Sequence, residues 1–127
     1  MELRKLQKIA VSALKDIKAK DIEVLNTSRL SPLFERVVVA SGDSNRQVRA
    51  LARHVADKVR EAGGEVLSVE GEENGEWVLV DLGDIVVHVM QPAIRAYYNL
   101  EDLWSVLAHG KTPAMHNPNA TPSASEQ

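Results

Sequence analysis

Residues 76–91 of the 127-residue chain read EWVLVDLGDIVVHVMQ, and this segment carries the clearest secondary-structure signal. Two apolar runs, 76–82 and 85–91, flank Gly83-Asp84, and a two-residue connection that contains glycine is a strong signal for a β-hairpin. Such a turn also sets the strand pairing, so we expect Leu82 to lie opposite Ile85 and Trp77 to lie opposite Met90.

The two faces of this predicted hairpin differ in composition, because side chains alternate along a strand. One face is aliphatic and is expected to meet the core; it holds Val78, Val80, Leu82, Ile85, Val87 and Val89. The other, which we call the mixed face, holds Trp77, Leu79, Asp81, Val86, His88 and Met90. Its composition matches a protein-binding surface. The pattern leaves open the alternative that a second helical layer covers this face and satisfies Asp81 and His88 inside it.

The sequence before the hairpin predicts a strand, a helix and a further strand. Residues 34–41 contain a valine run that suggests a strand buried on both faces. Ser44 and Gln47 have the spacing of a capping box, and an apolar stripe then predicts a helix over 44–62 that ends at Gly63-Gly64. With a strand over 65–70 this makes a βαβ unit, whose crossover is long enough for parallel, right-handed pairing.

The remaining segments complete an α/β fold. The sequence predicts a helix over 2–19 and a strand over 21–27. A short helical turn over 93–98 and a helix over 99–107 follow the hairpin. We therefore expect a mixed sheet of about five strands with flanking helices.

Composition bounds the class of protein. A chain of 127 residues fits one domain, which we place over residues 1–109, with a disordered polar tail over 110–127. The absence of cysteine excludes disulfides and thiolate chemistry and suits a reducing compartment. No apolar run is long enough to span a membrane, and the N-terminus does not resemble a signal peptide, so we expect a cytoplasmic protein.

The net charge of −3 is unevenly distributed along the chain. Residues 1–63 carry 13 basic and 8 acidic side chains, whereas residues 64–110 carry 1 basic and 9 acidic side chains. An acidic surface repels phosphate and attracts basic partners.

Catalytic and metal sites find little support in the sequence. The turn 41–44 lies between a strand and a helix, yet it matches neither glycine-rich phosphate motif. A nucleotidyltransferase would need a D-x-D pair on the next strand, which reads EVLSVE. His88 and Asp81 lie diagonally on the hairpin and could form an acid–base pair, although a structural histidine is more common. The histidines lack ligand spacing, so neither a metal nor another cofactor is expected.

Six blocks of sequence resemble the ribosomal silencing factor family, also called RsfS or iojap-like. The resemblance covers about residues 3–107 and rests on Lys20-Asp21-Ile22, Leu30-Ser31-Pro32-Leu33, Val39-Ala40-Ser41-Gly42-Asp43-Ser44-Asn45-Arg46-Gln47-Val48, Val69-Glu70-Gly71, residues 76–89 and residues 95–104. It implies an α/β domain with a mixed sheet, similar to a degenerate nucleotidyltransferase core without catalysis.

The resemblance also implies a function. Family members bind the large ribosomal subunit through universal large-subunit ribosomal protein fourteen, on the face that meets the small subunit. Occupying that face blocks subunit joining and lowers translation when nutrients are scarce, while relatives in mitochondria and chloroplasts act in large-subunit assembly. The acidic second half of this chain suits a basic ribosomal protein better than rRNA, so we expect direct rRNA contact to be minor.

Under this hypothesis the partner-binding residues are expected on the mixed face and just after it. They are Trp77, Leu79, Asp81, His88, Met90 and Tyr98. Tyr97 is expected at the same surface, and Met90 stands where aromatic residues are common in the family. Two other functions stay open: a nucleotidyltransferase-type enzyme that uses Gly42 and Glu70, and a large-subunit assembly factor that forms a homodimer through the mixed face.

Overall fold

Five strands form one mixed sheet in the computed structural model, which describes residues 1–29 and 32–98. The strands are β1 (Lys20–Asn26), β2 (Arg36–Ser41), β3 (Ser68–Glu70), β4 (Trp77–Asp81) and β5 (Ile85–Met90). The helices are α1 (Leu3–Asp16), α2 (Asn45–Glu61) and α3 (Pro92–Tyr97). The α/β fold with a five-stranded mixed sheet is therefore confirmed.

The hairpin has the pairing that its two-residue turn predicts. Trp77 lies opposite Met90, and Asp81 lies opposite Val86. Gly83 has a φ of 93°, whereas Asp84 is not among the residues with positive φ. Positive φ at the first central residue alone is typical of a type II′ turn, in which glycine is favoured because it has no Cβ.

The order of the strands differs from a simple βαβ unit. The sheet runs β1-β2-β5-β4-β3, so β2 pairs in parallel with β5 and not with β3. The predicted pairing of the strands at 34–41 and 65–70 is therefore wrong. These two strands do run in the same direction, but the hairpin β4–β5 lies between them because its valine-rich strands take the buried centre of the sheet.

Helix α2 begins and ends where the sequence predicts. Ser44 Oγ accepts a hydrogen bond from the backbone N–H of Gln47 at 3.1 Å. Gln47 Oε1 accepts from the N–H of Asp43 at 2.7 Å, one residue earlier than in a standard capping box. At the other end, Gly63 takes a φ of 88°, and the N–H of Gly64 donates to the carbonyl of Val59. A left-handed glycine of this kind ends a helix at low conformational cost.

Helices α1 and α2 cover the aliphatic face of the hairpin, which confirms that face as core. Burial of each valine, leucine or isoleucine side chain stabilises the fold by about 1.5–3 kcal/mol. The helix residues in this layer are Leu6, Ala10, Ala13, Leu14, Val48, Leu51, Ala52, Val55, Ala56 and Val59, and the hairpin residues are Val78, Val80, Leu82, Ile85, Val87 and Val89.

Helix α3 is tied to the sheet by Arg95. Its Nη1 donates to the backbone carbonyl of Asp21 at 2.8 Å and to the hydroxyl of buried Ser41 at 3.0 Å. These two hydrogen bonds hold the end of α3, and with it Tyr97 and Tyr98, beside the mixed face.

Several predictions concern residues outside the described part of the chain. The helix predicted over 99–107, the domain boundary at 109 and the tail over 110–127 stay predictions. Within residues 1–29 and 32–98, no helix combines the length and the apolar character that crossing a bilayer requires.

Candidate partner-binding face

The mixed face forms a second buried cluster on the side of the sheet opposite α1 and α2. Trp77, Leu79 and Met90 expose 3% or less of their surface. They pack with residues of β2 and of the segment before it, and the whole buried cluster is Phe34, Val37, Val39, Trp77, Leu79, Val86 and Met90. With His88, four of the six predicted partner-binding side chains are thus buried.

His88 lies fully buried within the same cluster. Trp77 Nε1–H donates a hydrogen bond to His88 Nδ1 at 2.8 Å, and the two rings meet edge to face with their centroids 5.8 Å apart. Accepting at Nδ1 places the proton of the neutral ring on Nε2. Among the described residues, no acceptor lies within hydrogen-bond distance of this nitrogen.

Burial keeps the His88 ring neutral. Loss of solvation lowers its pKa from 6.5 to about 3, since a charged imidazolium would be costly in this apolar cluster. A neutral ring that accepts from tryptophan is a structural element of the hairpin.

A row of aromatic rings leads from His88 to the surface. Trp77 and Tyr98 meet edge to face with their ring centroids 5.6 Å apart, and the ring centroids of Tyr98 and Tyr97 are 5.0 Å apart. Tyr98 is partly buried, and its pKa is raised mainly by the loss of solvation and to a smaller extent by the neighbouring Tyr97. Tyr97 is 80% exposed. The row therefore ends in an amphipathic ring at the edge of the mixed face.

Asp81 does not pair with His88. Its Oδ1 accepts from the backbone N–H of Gly83 at 2.9 Å, so the carboxylate supports the turn and stays partly exposed. The acid–base pair left open by the sequence is therefore wrong: His88 bonds to Trp77 and Asp81 bonds to the turn.

The edge strand β3 adds a second carboxylate to the mixed face. Glu70 lies opposite Leu79, and Ser68 lies opposite Asp81. Directly opposed residues of an antiparallel pair share a face, so Glu70 and Asp81 both lie on the side of the buried tryptophan. We call Glu70, Asp81, Tyr97 and Tyr98 the rim. Glu70 was not predicted in this role, because only the β3–β4 pairing assigns it to a face.

The structure does not bring together the two elements proposed for a nucleotidyltransferase. Gly42 follows β2, whereas Glu70 ends β3, and the two strands are three strand spacings apart. That separation is about 14 Å. Within the described residues, no three His, Asp or Glu side chains are placed to share a metal ion.

These features define an α/β domain whose buried hairpin face ends in a rim of carboxylates and tyrosines. The family model described as "Ribosomal silencing factor during starvation" matches residues 1–127. The chain therefore belongs to the RsfS family of ribosomal silencing factors, and translation regulation and ribosome binding follow from that membership.

Individual relatives agree with this assignment. The chain is 59% identical to the ribosomal silencing factor RsfS of Chromobacterium violaceum over 104 residues, which are 82% of this chain and 85% of that protein. It is 42% identical to the RsfS protein of Bacillus subtilis over 104 residues, covering 82% and 88% of the two chains. A crystal structure of a Chromobacterium violaceum protein superimposes with a TM-score of 0.78 at 56% identity, covering 89% of this chain and 91% of that chain. The resemblance to a nucleotidyltransferase core stays a prediction.

Proposed function

We propose that this silencing factor binds the large ribosomal subunit through universal large-subunit ribosomal protein fourteen and blocks joining of the small subunit. The observation that carries the proposal is the rim of the mixed face. It combines two carboxylates, Glu70 and Asp81, with two tyrosines beside the buried Trp77. Acidic groups next to aromatic rings suit a basic protein surface.

The predicted partner-binding residues take two kinds of role in this proposal. Asp81 and Tyr98 are partly exposed and contact the partner directly. Trp77, Leu79, His88 and Met90 are buried, and they support the rim from beneath. This division follows from burial, because a side chain that exposes 3% or less of its surface has almost no area left for a partner.

Steric occlusion needs no chemical step. The protein only has to occupy the subunit face with enough affinity, so the proposal includes no catalytic residue and no cofactor. We also propose that the protein acts in the cytoplasm. Homodimer formation in the free protein stays a prediction from the sequence.

Co-sedimentation with isolated subunits tests the binding step. The protein is mixed with purified large subunits, purified small subunits, or large subunits lacking the proposed ribosomal protein, and each mixture is centrifuged through sucrose. We expect pelleting with complete large subunits only. Equal pelleting with both kinds of subunit, or undiminished pelleting without the ribosomal protein, would contradict the proposed docking.

A further inference from the structure

Helices α1 and α2 form a layer with a large excess of positive charge. Together they carry nine basic side chains and three acidic ones. Two of the three acids already have partners, since Asp16 contacts His54 at 3.0 Å and Glu61 contacts Lys58 at 3.5 Å. Within residues 1–29 and 32–98, six of the basic side chains are exposed and form no ion pair: Arg4, Lys5, Lys8, Lys15, Arg46 and Arg60.

The two helices lie antiparallel, which places these charges on two neighbouring helices. Arg60 lies at the edge of the layer that faces β3, where it lines one pocket with Asp57 and Glu72. Gln47 near the start of α2 donates to the carbonyl of Ile17 at the end of α1. At the other end of the layer, the side chain of Met1 lies beside Gly64. With 14 and 17 residues, the helices extend about 21 Å and 26 Å. The surface is therefore long enough to follow several successive phosphates.

The character of this surface favours a polyanion over a protein partner. Among the described residues, none of the exposed large hydrophobic side chains lies on α1 or α2. Protein interfaces depend on such anchors, as does the docking of a helix on a lipid surface. Neither helix contains an aromatic residue to stack on bases. Contacts to a phosphate backbone need only basic side chains.

We infer that the α1–α2 layer binds the sugar–phosphate backbone of ribosomal RNA when the protein sits on the large subunit. This inference rests on the proposed function and revises the expectation that direct rRNA contact is minor. The basic layer and the rim lie on opposite faces of the sheet. The protein thus contacts a basic protein with one side and RNA with the other.

The test measures the salt dependence of binding to purified large subunits. Two double variants neutralise the layer with glutamine, which keeps side-chain length and helix propensity: Lys8→Gln with Lys15→Gln on α1, and Arg46→Gln with Arg60→Gln on α2. The control, Lys20→Gln with Arg29→Gln, removes the same charge from β1 and the following connection. Dissociation constants are measured from 50 to 200 mM salt, and hydroxyl-radical footprinting of the rRNA accompanies them.

We expect each layer variant to lose about 1.4–1.8 units of slope in log K against log[salt], since each phosphate contact contributes about 0.7–0.9. Affinity should fall at least tenfold, protection of the rRNA backbone should disappear, and the control should match the parent protein. Unchanged slopes in both layer variants would overturn the inference. A second result would also overturn the inference: the layer variants bind more weakly, but the parent protein protects no rRNA. The layer would then bind an acidic protein. Failure of the parent protein to bind large subunits would instead refute the proposed function.

Discussion

Trp77 donates its indole N–H to His88 Nδ1 at 2.8 Å, which joins the two strands of the hairpin through their buried side chains. The two residues are diagonal neighbours, since Trp77 pairs with Met90 and His88 pairs with Leu79. In the apolar surroundings of this cluster, an unpaired polar atom would be costly. The hydrogen bond therefore makes the position of each ring depend on the other and satisfies His88 Nδ1, while His88 Nε2 lies buried without a partner among the described residues.

The buried histidine predicts a loss of stability in mild acid. An unfolded histidine binds a proton below about pH 6.5, whereas folded His88 stays neutral until its pKa of about 3. Unfolding therefore takes up a proton between these values. The contribution of His88 to stability should be complete above pH 6.5 and should fall by about 1.4 kcal/mol per pH unit below it.

Urea denaturation between pH 4.5 and 7.5 measures this effect. The comparison is with His88→Gln, which does not titrate and offers an amide oxygen to the Trp77 N–H. The carboxylates titrate in both proteins, so the difference between their unfolding free energies reports only the pH-dependent contribution of His88. Parallel curves over this range would contradict a buried, neutral His88.

Replacing Trp77 by phenylalanine should destabilise the protein, because it removes both the indole N–H and part of a buried ring. The change leaves His88 Nδ1 buried without its donor, and an unsatisfied buried acceptor costs about 1–3 kcal/mol. Tyr97→Phe is the control, because Tyr97 is 80% exposed and should stay within about 0.5 kcal/mol of the parent protein. Thermal and urea unfolding of both variants check the prediction, and equal stability would argue against the hydrogen bond.

Removing the charge of Asp81 should weaken ribosome binding and leave the fold intact. Asp81→Asn keeps the oxygen that accepts from Gly83 N–H and removes only the charge offered to a basic partner. A charge-assisted hydrogen bond is worth about 1.5–3 kcal/mol, so we expect a loss of about tenfold or more in affinity for large subunits.

Asp57→Asn makes the same chemical change on α2, on the opposite side of the sheet from the rim; because it removes a negative charge from the layer inferred to bind phosphates, it should keep or raise the affinity. Melting temperatures of both variants should match the parent protein. If Asp81→Asn and the parent protein bind with equal affinity, Asp81 is not part of the partner-binding surface.

Alanine substitutions at two glycines distinguish the cost of backbone strain from the cost of steric overlap. Gly63 and Gly71 have φ values of 88° and 90°, so alanine is strained at either position. A Cβ at Gly63 would meet nothing within 4 Å, whereas at Gly71 it would lie 2.3 Å from the carbonyl oxygen of Trp77. Gly63→Ala should cost about 1–2 kcal/mol. Gly71→Ala should cost clearly more in urea denaturation, and similar losses would show that β4 can move away.

The sequence predicted the hairpin well, because the turn and the alternation of side chains depend only on residues that are close together in the chain. The turn at Gly83 sets the register, and alternation then assigns every side chain of β4 and β5 to a face. The capping residue Ser44 and the left-handed Gly63 similarly mark the ends of α2. Each of these features depends on residues a few positions apart.

Long-range placement was harder to predict. The insertion of β5 and β4 between β2 and β3 leaves no local signal, because β2, β4 and β5 are all short and mostly apolar and local sequence does not say which of them pair. Burial of the mixed face likewise depends on contacts from distant segments, such as Phe34 on Trp77 and its neighbours. The sequence predicted that Asp81 and Tyr98 lie at the mixed face, where the structure has them, but composition could not show which neighbouring side chains are buried.

The proposed function requires that the protein prevents the two subunits from joining, and light scattering measures joining directly. Large subunits are incubated with saturating protein, small subunits are then added, and the rise in scattered light is followed over time. The proposed function predicts a strongly reduced amplitude, and Asp81→Asn at the same concentration should restore part of it. An amplitude equal to that of untreated subunits, at a concentration where co-sedimentation shows the large subunits to be fully occupied, would contradict the claim.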